Sequence, residues 1–161
     1  MSENPIRKID PFGLADFYFW PPIGDNVGHA ALSLDDGTYI SEWPTNASEI
    51  FFGEPRDPSL FIDALDEEAM PYVINVPGLN EQAVKEWWET EKDNAVYNAF
   101  FSNCADTVHD AIEIGGRDLP NRIIQTPVDL FGDLYNPNLD KGKLDYSSPA
   151  YKNSREQYRN R

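Results

Sequence analysis

Apolar residues recur along this chain in short blocks whose spacing switches between the periods of a strand and of a helix. Ala15 to Trp20 (ADFYFW) is aromatic-rich and strand-like, and Pro21-Pro22 stops it. Gly28 to Leu34 and Thr38 to Trp43 read as two strands folded around Asp35-Asp36-Gly37, a strong hairpin turn. The stretch 45–60 is rich in Pro, Asn, Ser and Gly and reads as loop, with a short helix over 59–69. Tyr72 to Val76 (YVINV) reads as a buried strand. Asn80 is the N-cap of a predicted helix from Glu81 to about Lys92, in which Val84, Trp87 and Trp88 share a face. The aromatic stretch Tyr97 to Phe101 leads into Ser102-Asn103-Cys104. There a second helix begins, running to about Ile114 and closed by Gly115-Gly116. Thr126, Pro127 and Asp129 open a third helix that ends near Tyr135. Residues 1–135 thus predict one α+β domain, an antiparallel sheet packed against helices, and 136–161 an extended or disordered polar tail.

Composition adds bounds to this picture. The 161 residues are 40 % hydrophobic and 13 % aromatic, enough to build a core. No apolar run approaches the ~20 residues of a membrane span. MSENPIRKIDPFG has no apolar h-region, so no Sec signal is expected; synthesis in the cytoplasm and export by a leaderless route remain compatible with it. The net charge of −15 makes nucleic acid and anionic membranes poor partners. The charge is uneven. Residues 139–161 hold six Lys/Arg against three acids, whereas the other 138 residues hold seven bases and 25 acids. Such a surface is solvated and acidic, or serves to dock a basic protein partner.

The chain holds one cysteine and two histidines. With a single Cys104 no intramolecular disulfide forms, so the cysteine is either a small buried residue or a nucleophile. Asn103 as N-cap and Asp106 at N3 place Cys104 in the first turn of its helix. Free N–H groups and the helix dipole there favour a thiolate and suit an oxyanion. A thiolate nucleophile needs a proton acceptor, usually His. His109 follows Cys104 by five residues on the same helix, about 140° round and about 7.5 Å along, a poor base and a better structural residue. His29 is remote in sequence but begins a strand, where rigid backbone can aim it. No cofactor is expected, since there is no phosphate-cradling glycine loop and no Cys/His cluster for a metal.

His29, the Asp36-Gly37 turn and Asn103-Cys104-Ala105-Asp106-Thr107-Val108, in that order and preceded by Tyr97-Asn98, resemble the circularly permuted branch of the NlpC/P60 superfamily. These are papain-like thiol hydrolases that include the lecithin:retinol acyltransferase-like proteins. The similarity covers roughly residues 15–116. It implies a papain-like fold with the nucleophile at a helix N-terminus. It also implies a cysteine hydrolase or acyltransferase that acts through an acyl-thioester on Cys104 with His29 as base. The substrate would be a lipid acyl ester or a peptide, including cell-wall stem peptides. A small domain of this kind would also suit a delivered effector or toxin.

The third position departs from the family pattern of His, Asn or Gln. Twelve residues from His29 lies Ser41, and beside it Glu42, chemically the stronger orienter. Hairpin register decides between them: a two-residue turn puts Glu42 opposite Ala31 and on the face of His29, a three-residue turn puts Ser41 there. The spacing selects Ser41. Tyr18 and Trp43 are candidates to line the cleft or to serve the core, and Asn103 borders the nucleophile as a candidate substrate contact. The rival to catalysis is a non-catalytic, acidic protein-binding domain on the same fold.

Overall fold

A computed structural model of the chain describes residues 14–24, 27–43, 59–93 and 103–135. They form a four-stranded antiparallel sheet and four helices, an α+β fold. The strands are β1 (Leu14–Trp20), β2 (His29–Ser33), β3 (Tyr39–Ile40) and β4 (Tyr72–Pro77), in the order β3-β2-β1-β4. The helices are α1 (Leu60–Asp66), α2 (Glu81–Glu91), α3 (Cys104–Ile114) and α4 (Pro127–Leu134). The predicted Tyr97–Phe101 approach, most of the 45–60 loop and the 136–161 tail lie outside the described residues.

Strand alternation sorts the side chains onto two faces. Phe17, Phe19, Ala30, Leu32, Ile40, Ile74 and Val76 face one way and pack with Val84 and Trp88 of α2, Val108 and Ile112 of α3, and Leu130 and Leu134 of α4. Stacking of Phe19 on Phe131, centroids 4.5 Å apart, ties α4 to β1. Tyr18, Trp20, Ala31 and Val73 face the other way and meet Leu60 and Ala64 of α1. Each large core side chain is worth about 1.5–3 kcal/mol of burial.

Two local features fix the geometry around β2. The β2–β3 turn spans Asp35–Gly37: Leu34 N–H donates to Thr38 O at 2.9 Å and Gly37 N–H to Leu34 O at 3.0 Å. Gly37 takes the left-handed φ of 89° that the turn requires. This three-residue turn sets Leu32 opposite Ile40 and Ser33 opposite Tyr39. β3 stops at Ile40, shorter than the predicted Thr38–Trp43 strand. At the other end of β2, Gly28 has φ 82°, and a Cβ there would lie 2.5 Å from Trp20 O. Only glycine lets the chain enter β2 this close to β1.

Candidate functional site

α3 starts where the sequence predicts it, and for the predicted reason. Asn103 Oδ1 accepts from the N–H of Ala105 at 2.8 Å and of Asp106 at 3.3 Å, while Asp106 Oδ2 accepts from Asn103 N–H at 3.1 Å. This capping box satisfies two of the orphan donors of the first turn and leaves the Cys104 N–H outside its bonds. Cys104 is a free thiol, buried but for 6 % of its surface.

His29 follows Gly28 at the start of β2 and is 1 % exposed. Its Nε2 lies 2.8 Å from Ser41 Oγ and 3.1 Å from Asp63 Oδ2. Ser41 Oγ donates to the same Oδ2 at 2.7 Å, and so does Tyr39 OH, also at 2.7 Å. Cys104, at the start of α3, lies near enough to act on the charge of the His29 ring. Sulfur, imidazole and carboxylate therefore stand in series, drawn from α3, β2 and α1.

The electrostatics agree with this order. Burial by itself pulls the His29 pKa down, but the Cys104 and Asp63 charges and their hydrogen bonds outweigh it and push it up to about 10. Burial pushes the Asp63 carboxyl up, yet the His29 charge and the donors His29, Ser41 and Tyr39 hold it below its usual value. The arrangement favours a protonated imidazole paired with an ionised Asp63.

Comparison of the chain with protein-family models, with curated proteins and with solved structures finds no match.

The geometry alone therefore sorts the candidate residues. It brings Cys104, His29 and Ser41 together, and the three-residue turn is the reason Ser41 reaches the imidazole. Glu42, the other candidate orienter, does not reach it. It faces the opposite side of the sheet, 1 % exposed, where its Oε2 accepts from the Thr107 hydroxyl. Tyr18 is fully buried among Trp20, Ala31 and Val73, and its hydroxyl shares a hydrogen bond with Ser33 Oγ at 3.0 Å. Trp43 stacks directly on His29, ring centroids 4.3 Å apart. Asn103 is committed to capping, and its Nδ2 donates to Gln125 O at 3.2 Å. His109 is buried on α3, its Nδ1 3.4 Å from Asp110 Oδ1. Among the described residues no group of three or more His, Cys, Asp or Glu is placed to hold a metal, and no helix is long and apolar enough to cross a membrane.

Asp63 and Tyr39 are the site residues that sequence reasoning missed. Asp63 is 34 residues from His29 and follows a loop with no pattern of its own. One signal existed. Leu60 and Ala64 form the buried stripe of α1, and Asp63 sits within that stripe, an acid at a core position. A buried acid is rarely found without a partner.

Proposed function

We propose that the chain is a cysteine hydrolase or acyltransferase of papain-like type, related to the permuted NlpC/P60 proteins, that cleaves an ester or amide through an acyl-thioester on Cys104. The observation that supports this reading is the series Cys104–His29–Asp63, with His29 hydrogen-bonded to a buried carboxylate and Cys104 near enough to act on its charge. His29 takes the thiol proton, and the thiolate attacks the acyl carbonyl. The tetrahedral oxyanion is met by the Cys104 N–H, left over by the cap at the positive end of α3. His29 then gives its proton to the departing alcohol or amine as the C–O or C–N bond breaks. Water, deprotonated by His29, or an acceptor alcohol or amine attacks the thioester and frees the sulfur. Asp63 holds the Nε2–H and balances the imidazolium, and Ser41 and Tyr39 fix the carboxylate. The acyl donor is a lipid ester or a peptide amide.

The test is alkylation of Cys104 by iodoacetamide across pH 4.5–10, read by mass spectrometry in wild type, His29→Ala and Asp63→Asn. Wild type is expected to react well below neutral pH. His29→Ala loses that low-pH reactivity by about ten-fold or more, and Asp63→Asn loses part of it. An ordinary thiol profile in wild type, unmoved by His29→Ala, overturns the proposal. Incubation with phospholipid vesicles and, separately, peptidoglycan fragments then reads the acyl donor.

A further inference from the structure

Two indoles flank the imidazole of the Cys104–His29–Asp63 series. His29 sits on β2 with a tryptophan on each flank. On the β1 side Trp20 is its register partner, with ring centroids 5.4 Å apart and planes tilted by 42°. On the other side, the β2–β3 register carried past Ile40 brings Trp43 opposite His29. There the centroids are 4.3 Å apart and the planes within 29° of parallel. The indole of Trp43 therefore lies over the face of the imidazole, whereas Asp63 and Ser41 meet it through Nε2 at its edge.

We infer that Trp43 is a positioning residue that clamps His29 in its imidazolium form, its indole face stacked on the charged ring. The inference rests on the Cys–His reading above and deepens it. An aromatic face within about 6 Å attracts a cation through its quadrupole, tryptophan most strongly, and the attraction grows where water is excluded. His29 is almost wholly buried, so water competes little for the ring. Stacking also resists rotation of the imidazole, which keeps Nε2 on Ser41 and Asp63. The other groups that bear on His29 are Asp63 from α1, Cys104 from α3, the hydroxyl of Ser41, and through Asp63 the hydroxyl of Tyr39. On β1 they are the uncharged Trp20 and Tyr18, the latter bonded to Ser33. Asp63 meets the ring at its Nε2 edge and leaves to Trp43 the face that it covers. Stabilising the imidazolium stabilises the paired thiolate with it, so Trp43 extends Cys104 reactivity to lower pH.

The test uses the full chain with Trp43→Leu and Trp43→Phe, each alone and combined with His29→Ala, read by the pH dependence of Cys104 alkylation. Loss of the indole is expected to move the midpoint to higher pH by about 0.5–1 pH unit in Trp43→Leu and by less in Trp43→Phe. The plateau rate at high pH stays unchanged. In the His29→Ala background neither substitution moves the midpoint further, which a role in packing alone would not reproduce. An unmoved midpoint in both Trp43 variants, while His29→Ala does move it, overturns the clamp and leaves the Cys–His pair standing. An equal shift with and without His29 also overturns it. No effect of His29→Ala removes the pair itself, and the clamp with it. If Trp43→Leu does not fold by circular dichroism, Trp43→Phe, which keeps most of the volume and a weaker π face, carries the test.

Discussion

Glu42 and Ser41 are neighbours in sequence with opposite fates, and the difference is one of register. Ser41 lies on the face of His29 and satisfies it. Glu42 turns to α3, where Thr107 is its partner and its buried Oε1 has none among the described residues. Burial, and then the nearby Glu91 and Asp106, push its carboxyl above the usual value despite the Thr107 bond. An acid whose pKa is raised on folding contributes stability that is fully present below its unfolded value. That contribution is lost as pH rises through the folded value. Wild type therefore carries a penalty at pH 8 that it does not carry near pH 4.5. Glu42→Gln keeps the shape and a bond to Thr107 but cannot ionise. It is expected to be more stable than wild type by about 1–2 kcal/mol at pH 8, with the gap closing towards pH 5. Urea unfolding at the two pH values measures this. A glutamine variant no more stable than wild type at pH 8 would show that the carboxyl is not strained by its burial.

The short hairpin aims the site, and its two glycines separate two kinds of constraint. Gly28 and Gly37 both take a left-handed φ, but only at Gly28 would a Cβ strike backbone, 2.5 Å from Trp20 O. Gly37→Ala is expected to cost about 1 kcal/mol from backbone strain alone. Gly28→Ala must also push β1 and β2 apart at His29, and is expected to cost about 3 kcal/mol or more and to lower Cys104 reactivity at low pH. Equal denaturant midpoints for the two variants would contradict this. The same elements show what the sequence could and could not disclose. Caps at Asn80, Asn103 and Thr126 are local chemistry, so α2, α3 and α4 begin where the sequence puts them. The turn Asp35–Gly37 was visible as a turn, but its length, which chooses Ser41 over Glu42, depends on which pairing buries Ile40 with Leu32. Asp63 became a site residue only when α1 folded over the second face of the sheet, and no spacing within its own segment reports that.

At the scale of the whole molecule, the net charge of −15 is a standing repulsion that the fold must overcome. Described ion pairs relieve it only locally. Lys85 meets Asp36 and Arg122 meets Asp133, joining the hairpin tip to α2 and the loop before α4 to α4 itself. Pairs so open to water are worth a few tenths of a kcal/mol to about 1 kcal/mol. Added salt screens both effects, and their balance decides the sign. The attractive contacts are few and short-ranged, whereas the excess acids repel across the molecule at separations comparable to the Debye length, about 10 Å at 0.1 M. Repulsion should dominate. The melting temperature is therefore expected to rise between 10 and 150 mM NaCl by about 2–5 °C and then to flatten, because the remaining interactions lie inside the screening length. A steady linear rise to 1 M would instead signal salt exclusion from apolar surface. A fall would mean that the ion pairs outweigh the global repulsion. The site is insulated from this effect. His29 and Asp63 are 1 % and 0 % exposed, so their mutual attraction is little screened. The low-pH alkylation of Cys104 should accordingly change little over the same salt range in which the melting temperature climbs. That contrast separates a buried ion pair from a merely acidic surface.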